Sequence, residues 1–281
     1  MPDARIGVIG LGTMGRGIAE AALAAGYRVT AIGRDADSIS KHVLDFSNFL
    51  QKLARLKRFP EEIAAHLPEI LYCSSKLEEL ENCSLVVESI PENLKVKQEL
   101  FKQLDSTCKL ETVLATNTSC LTVSQVAALA KNKGRILGIH FFNPVTIMKL
   151  VEVIKTNRTS QRAFDKACKF CQSLGKTVVS APDTPGFIVN RLLLAFLSEA
   201  MRLHEMGVSA EDIDKAVTLG LNHPMGPFKL ADFIGLDTAL YIAKSMQEQL
   251  DDPHFTPSDT LTRLVKEGKL GRKSSQGFYT Y

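Results

Sequence analysis

Polar side chains that could transfer a proton follow or interrupt three apolar runs of the chain. Asn117 and Ser119 come directly after one run, and His140 closes a second. Glu152 stands inside a third run, Leu150–Val153. Short apolar runs predict buried strands. A histidine exchanges protons near neutral pH, and a buried carboxylate beside it would orient the ring and oppose its positive charge. The pattern therefore predicts an acid–base site.

Each of these residues also has a purely structural interpretation. His140 could be a hydrogen-bonded core histidine, and Glu152 could stand on a half-exposed edge strand. Asn117 and Ser119 could cap a following helix, since Asn and Ser are good N-caps. Ligands of open α/β sheets bind beyond the carboxyl ends of the strands, which is where Asn117, Ser119 and His140 are expected. This shared location favours the functional interpretation.

A glycine-rich turn near the start of the chain predicts a dinucleotide site. It follows the apolar run Arg5–Ile9, opens a helical pattern that Gly26 ends, and precedes a second strand pattern, Tyr27–Ile32. This strand–turn–helix–strand order is the context in which the fingerprint G-x-G-x-x-G binds a pyrophosphate at a helix N-terminus. The alternative is a βα turn without a ligand. The turn consists of Gly10, Leu11, Gly12, Thr13, Met14 and Gly15.

The end of the second strand bears on the choice between NAD and NADP. An acidic residue there would hold the ribose hydroxyls of NAD, whereas an arginine can pair with the 2′-phosphate of NADP. Ile32 is followed by Gly33 and Arg34, and Asp35 comes next. Gly33 and Arg34 favour NADP. The alternative is that Asp35 supplies the acid and Arg34 is solvated, which would leave NAD.

The order of patterns predicts an α/β fold, a Rossmann-type doubly wound sheet followed by an all-helical C-terminal domain. Strand patterns alternate with helices up to Thr177–Val179, and helical patterns alone follow, including one over Phe228–Leu250. We therefore expect a dinucleotide-binding domain over residues 1–184. A helical arm, at about residues 38–66, interrupts it. A helical domain for substrate binding and dimerisation would cover residues 185–281.

Composition excludes several classes of protein. The net charge of +3 is too small to indicate a nucleic-acid partner, and no apolar run reaches the length of a membrane span. A strand pattern starting at Arg5 argues against a signal peptide, so we expect the cytoplasm or an organelle matrix. The six cysteines are expected to be reduced. Cys168 and Cys171 fit two thiols one helical turn apart better than a redox or metal pair, and no metal site is expected.

Several further motifs are similar to those of the L-3-hydroxyacyl-CoA dehydrogenase family, in particular its short bacterial 3-hydroxybutyryl-CoA dehydrogenases. The similarity runs over nearly the whole chain. No single motif carries it, but their combination is specific. Beside the glycine turn, the matching segments are 91–97 (PENLKVK), 116–119 (TNTS), 140–144 (HFFNP), 148–153 (MKLVEV), 185–191 (PGFIVNR), 223–228 (HPMGPF), 235–237 (GLD) and 271–279 (GRKSSQGFY).

The resemblance implies a reaction and a set of roles. His140 would be the general acid and base that handles the 3-hydroxyl proton while a hydride moves between C3 and the nicotinamide, and Glu152 would be its partner. Ser119 and Asn190 would donate hydrogen bonds to substrate oxygens. The reaction would interconvert 3-hydroxyacyl-CoA, such as 3-hydroxybutyryl-CoA, and 3-ketoacyl-CoA, such as acetoacetyl-CoA. Positions expected to contact the cofactor are Glu92, Lys97, Asn117, Ser119, Asn143 and Lys273.

The resemblance also implies partners and leaves alternatives. The basic run Lys52–Arg58, with Lys52, Arg55 and Lys57, falls where the family's arm meets the CoA phosphates, and a homodimer through the helical domain is expected. Gly33 departs from the aspartate that is usual in the family. One alternative is a related dehydrogenase of a free hydroxy acid. Another is a cofactor-binding protein without catalysis, like certain crystallins. A fused hydratase would need a longer chain.

Overall fold

The computed structural model describes residues 4–57 and 67–281. The chain divides into two compact units, Met1–Asp183 and Thr184–Tyr281. The first unit contains an eight-stranded sheet in the order β3-β2-β1-β4-β5-β6-β7-β8. The strands are β1 Arg5–Ile9, β2 Arg28–Ile32, β3 Leu71–Ser74, β4 Leu85–Glu88, β5 Val113–Thr116, β6 Ile136–Phe141, β7 Leu150–Lys155 and β8 Thr177–Pro182.

The sheet is parallel except at one pair. β6 and β7 run antiparallel, and β7 continues parallel to β8. The order of the first six strands, 3-2-1-4-5-6, is that of the doubly wound dinucleotide-binding fold. The predicted fold class is therefore confirmed. The carboxyl ends of β1, β4, β5 and β6 consequently lie at one edge, where Asn117 and Ser119 follow β5.

Helices connect the strands of the first unit. They are α1 Thr13–Ala24, α2 Ala36–Arg55, α3 Leu67–Ile70, α4 Leu94–Thr107, α5 Val123–Val126 and α6 Gln161–Ser173, with 3₁₀ turns at Leu77–Leu80 and Lys133–Arg135. Two of them begin at a side-chain cap, since Asn93 accepts the N–H of Val96 and Ser160 accepts that of Ala163. The buried core joins the apolar strands to α1, α2 and α6.

Two details of the first unit differ from the sequence prediction. The sequence pattern did not predict β3, whose four residues pair with β2. β6 extends through Phe141, so His140 lies inside the strand and not after its end. The antiparallel partner β7 explains this extension, because its hydrogen bonds continue over Gly138–Phe141. The predicted arm is described as α2 up to Arg55, and its part from residue 58 to 66 lies outside the described residues.

The second unit is helical and has its own apolar core. Its helices are α7 Val189–Glu205, α8 Ala210–Gly220, α9 Pro227–Ile234, α10 Leu236–Leu250 and α11 Asp259–Lys266, with 3₁₀ turns at Pro253–Phe255 and Arg272–Ser274. The single helix predicted over Phe228–Leu250 is wrong, because Gly235, with φ of +103°, separates α9 from α10. Over residues 4–57 and 67–281, no helix is both long and apolar enough to cross a membrane.

Candidate active site

The predicted acid–base pair is formed by two neighbouring strands. His140 on β6 is the register partner of Glu152 on β7. Nδ1 of His140 lies 2.7 Å from Oε2 of Glu152. The histidine is 4% exposed and the glutamate 0%. Glu152 lies on a strand with neighbours on both sides, so the edge-strand interpretation is wrong. A carboxylate bonded to Nδ1 selects the tautomer of the ring and leaves proton exchange with a ligand to Nε2.

The glycine turn contains two glycines that the local packing of the protein requires and one that it does not. A Cβ on Gly10, whose φ is +85°, would lie 2.7 Å from the carbonyl oxygen of Ser89. A Cβ on Gly15 would lie 1.7 Å from the carbonyl oxygen of Gly10. Gly12, the N-cap of α1, has an ordinary φ of −66° and no described atom within 4 Å of an added Cβ. Open space at Gly12 beside the N-terminus of a 12-residue helix fits a pyrophosphate that approaches the backbone.

Gly33 and Arg34 lie beside this turn. The backbone N–H of Gly10 donates to the carbonyl of Ile32, the last residue of β2, at 3.0 Å. The N–H of Gly33 donates to Ser74 at the end of β3. Arg34 and Asp35 are both exposed. An exposed arginine and an exposed carboxylate therefore follow β2, beside the glycine turn.

Asn117 connects the ends of three strands. Its side-chain Nδ2 donates to Oγ of Ser89 at 3.3 Å, and its Oδ1 accepts the backbone N–H of Phe141 at 2.9 Å. Its own N–H donates to the carbonyl of Glu88. Asn117 thus binds β4 and β6 to the residues that follow β5. The helix-cap interpretation of Asn117 is wrong, because α5 begins after Thr122 and its first N–H groups donate to Asp183.

Glu92 and Lys97 form part of an ion-pair network next to Asn117, in which Lys97 is buried and the side chain of Glu92 is 18% exposed. Nζ of Lys97 lies 2.6 Å from Oε1 of Glu88 and 3.1 Å from Oε2 of Glu92, and Lys97 is 0% exposed. The other oxygen of Glu92 accepts the backbone N–H of Ser119 at 2.8 Å. Sequence reasoning missed Glu88. Its signal was a carboxylate that closes the apolar run Leu85–Val87.

The remaining predicted residues lie on other segments of the chain. Asn143 is exposed and precedes a cis peptide bond to Pro144. Lys52, Arg55 and Lys57 are exposed at the end of α2, whereas Arg58 lies outside the described residues. In the second unit, Asn190 is buried in the first turn of α7. Nζ of Lys273 lies 2.6 Å from Oδ2 of Asp237.

The cysteines do not form a reactive or metal-binding cluster among the described residues. All six are free thiols, and no described group of three or more His, Cys, Asp or Glu side chains could share a metal ion. Burial raises the pKa of the Cys171 thiol, and burial also raises the pKa of Cys168. Both therefore stay protonated at neutral pH, which makes them poor nucleophiles and metal ligands.

Comparison with known proteins identifies the family. The family model described as 3-hydroxyacyl-CoA dehydrogenase, NAD binding domain, matches residues 5–184, and the model of the C-terminal domain matches residues 186–281. The mitochondrial hydroxyacyl-coenzyme A dehydrogenase of Homo sapiens is 45% identical over 98% of this chain and 90% of its own length. The 3-hydroxybutyryl-CoA dehydrogenase of Mycobacterium tuberculosis is 41% identical over the full length of both chains, 100% in each case.

Solved structures lead to the same family. The crystal structure of (S)-3-hydroxybutyryl-CoA dehydrogenase from Ralstonia eutropha is 34% identical, covers 99% of this chain and 98% of its own, and superposes with a TM-score of 0.90. The two family models together cover essentially the whole sequence, and so do the two relatives and the Ralstonia eutropha structure. The chain therefore belongs to the 3-hydroxyacyl-CoA dehydrogenase family.

Proposed function

We propose that this protein interconverts a 3-hydroxyacyl-CoA and the corresponding 3-ketoacyl-CoA, with 3-hydroxybutyryl-CoA and acetoacetyl-CoA as the expected pair. The observation that carries the proposal is the buried contact of 2.7 Å between His140 and Glu152, in a chain of this family. The pair lies in a sheet whose glycine turn fits a dinucleotide.

In the proposed chemistry, a side chain of the protein transfers the proton of the 3-hydroxyl group. His140 takes the 3-hydroxyl proton through Nε2 as the C3–O bond becomes a carbonyl, and returns it in the reverse direction. Glu152 holds Nδ1 and opposes the charge of the protonated ring. A bound nicotinamide supplies the acceptor or donor of the C3 hydride. Ser119 is assigned a hydrogen bond to a substrate or cofactor oxygen, which would orient C3.

The remaining assignments rest on the resemblance. Asn190 would donate to a substrate oxygen, and Asn143 and Lys273 would contact the cofactor. Three exposed basic side chains at the end of α2 support a site for the CoA phosphates, since lysine and arginine pair readily with phosphate. They are Lys52, Arg55 and Lys57.

For the cofactor, we propose binding at residues Gly10–Gly15 with a preference for NADP. Arg34 supports it as a partner for a 2′-phosphate. The matching family model is that of an NAD binding domain, so NAD is the alternative that the test must exclude. The variant Gly33→Asp restores the carboxylate usual in the family and is expected to lower kcat/KM with NADPH about tenfold or more, by charge repulsion.

The test is a reductive assay with acetoacetyl-CoA, run in parallel with NADH and NADPH. We expect turnover in the wild type and a loss of about 10²-fold or more in His140→Ala, since general acid–base catalysis contributes at least that much. His254→Ala, in the second unit, is the matched control. Equal turnover in His140→Ala would remove the proposed role. Free acetoacetate is tested as a second substrate. Turnover with free acetoacetate alone would favour a hydroxy-acid dehydrogenase, and no turnover with either substrate would favour a non-catalytic protein. A preference for NADH would reject the NADP assignment alone.

A further inference from the structure

A loop joins the two strands of the acid–base pair. It comprises residues 142–149, between β6, which carries His140, and β7, and it is here called the β6–β7 loop. Its first residue, Phe142, places its ring against the imidazole of His140, with 4.5 Å between the ring centroids. In the segment 143–149, all of which the structure describes, Val145 is buried and the other six residues are exposed. Exposed loops are usually the more mobile parts of a protein, so the position of Phe142 depends on what holds this loop.

One contact fixes the loop to the helix that follows the glycine turn. Val145 is 3% exposed and belongs to the core of the first unit. It packs on the backbone of α1 at Gly17, where an added Cβ would lie 3.0 Å from the Cβ of Val145. The carbonyl of Pro144 accepts the N–H groups of Ile147 and Met148, at 3.0 and 2.9 Å, which closes this part of the loop into a turn. The buried side chain of the turn therefore rests on α1.

A second contact comes from Lys176, which immediately precedes β8. Lys176 is 9% exposed, and its Nζ donates to the carbonyl oxygen of Val145 and, at 2.8 Å, to that of Met148. The next residue, Thr177, donates its backbone N–H to the carbonyl of Lys149 at 2.8 Å. Burial disfavours the charge of an ammonium group and lowers the pKa of Lys176. A charged donor forms stronger hydrogen bonds than a neutral one, so the two bonds of Nζ are suited to holding the turn.

We propose that Lys176 is a positioning residue for the reaction, which holds the β6–β7 loop in place and thereby keeps the Phe142 ring against His140. Lys176 and Val145 act on the same turn, since the first binds its carbonyl oxygens and the second joins it to α1. A ring held against the imidazole restricts the rotation of the imidazole, and an acid–base group transfers a proton only within a narrow range of orientations. The inference rests on the proposed function in that His140 transfers the proton.

The experiment combines hydrogen exchange with a double-mutant cycle. Lys176→Met keeps the length of the side chain and removes its donors, Phe142→Ala removes the ring, and the double variant completes the cycle. Lys166→Met is the matched control, because Lys166 is half-buried on α6 and also donates to a carbonyl oxygen, that of Glu111, at 3.1 Å. Exchange is followed in peptides that cover residues 142–149. The reductive assay with acetoacetyl-CoA gives kcat and KM.

We expect faster exchange of the β6–β7 loop in Lys176→Met but not in the control. We expect kcat to fall about tenfold and KM for acetoacetyl-CoA to change less than about twofold, because a misplaced proton donor affects the transition state more than substrate binding. In the Phe142→Ala background, Lys176→Met should change kcat less than about twofold, since residues that act through one contact are not additive. If Lys176→Met does not fold, Val145→Ala loosens the other contact of the same turn and should give the same faster exchange and the same coupling to Phe142.

Two results would overturn the inference. Unchanged exchange of the β6–β7 loop in Lys176→Met would show that the ammonium does not hold this loop. A fall in kcat that is equally large with and without the Phe142 ring would show that Lys176 does not act through that ring. If the wild type has no turnover, the proposed function fails. The exchange measurement then still decides whether Lys176 holds the loop.

Discussion

At the scale of residues, the candidate chemistry depends on groups removed from water. His140 and Glu152 are buried together, and so are Glu88, at the end of β4, and its ion-pair partner Lys97. In a low dielectric, an orienting carboxylate acts more strongly than it would in water. Replacing such a carboxylate by its neutral amide should therefore lower the rate of turnover with little change in the shape of the site.

The variant Glu152→Gln tests this point. The amide has nearly the same volume but no charge, so it cannot oppose the charge of a protonated His140. We expect kcat to fall about 10²-fold or more in both directions, with KM for acetoacetyl-CoA nearly unchanged. Initial rates give the values, with the exposed Glu111→Gln as control. Loss of the folded state in circular dichroism, or kcat equal to that of the control, would contradict the assigned role.

At the scale of elements, the glycine turn lets folding and cofactor binding be separated. Gly15→Ala would bring a Cβ within 1.7 Å of a backbone oxygen, whereas Gly12→Ala meets no described atom within 4 Å. We expect Gly15→Ala to destabilise the first unit and Gly12→Ala to fold normally but bind NADH and NADPH at least about tenfold more weakly, by blocking the pyrophosphate. Thermal unfolding and fluorescence titration measure the two effects. Normal cofactor binding by Gly12→Ala would place the pyrophosphate elsewhere.

A second prediction at this scale concerns the junction of α4 with β6. Asp105 accepts the N–H groups of Lys131 and Asn132 at 2.8 and 3.0 Å, and it pairs with Arg135 at 2.7 Å. Burial alone would raise the pKa of Asp105, but the hydrogen bonds from Asn132, Arg135 and Lys131 outweigh it and hold this pKa below its usual value.

Asp105→Asn removes the carboxylate charge that pairs with the buried Arg135, whose other partners are carbonyl oxygens. We expect the free energy of unfolding at pH 7 to fall by about 3 kcal/mol. A carboxyl group whose pKa is lowered by folding stabilises the folded state above its usual pKa. This stabilisation is lost as the pH falls through the lowered value. The difference between wild type and variant should therefore narrow below about pH 4. Urea unfolding from pH 7 to pH 3 measures it. A difference that is constant over this range would exclude the ion pair as its source.

At the scale of the whole molecule, each unit has its own core, and the C-terminal tail is part of the second core. Asp232 on α9 is buried and accepts the N–H groups of Phe278 and Tyr279 at 3.0 Å each, and the hydroxyl of Tyr281 at 3.1 Å. The tail that carries Lys273 is therefore held by a buried carboxylate. Lys273, proposed as a cofactor contact, lies on a fixed segment and not on a loose end.

The homodimer remains a prediction at this scale. Several large apolar side chains of the second unit are more than half exposed, and such surfaces often mark interfaces. They are Leu192, Met206, Leu219, Leu221 and Phe233. We expect twice the mass of one chain by light scattering at micromolar concentration, through the helical unit. The mass of a single chain at that concentration would reject the dimer. The cytoplasm likewise remains an expectation, since relatives of this chain include mitochondrial enzymes.

Local patterns in the sequence were enough to predict the helices, strands and turns that are determined by residues a few positions apart. The order of strand, glycine turn, helix and strand predicts the nucleotide-binding half, because hydrophobic period and turn residues act within a few positions. The change to purely helical patterns near Thr184 has the same origin. The motifs near His140, and their resemblance to the family, also predict the partner Glu152 from sequence. That contact is between adjacent strands, and the two residues are twelve apart.

Only the tertiary structure decided features that depend on distant partners. β3 has four residues and is defined by its pairing with β2, and the break at Gly235 depends on a positive φ that the apolar pattern does not reveal. The contacts of Glu88 with Lys97 and Thr116 join three separate elements. Composition and spacing indicate which residues are suited to chemistry. Which buried charges meet is decided by packing, because a buried charge is stable only where the fold brings its partners within hydrogen-bond distance.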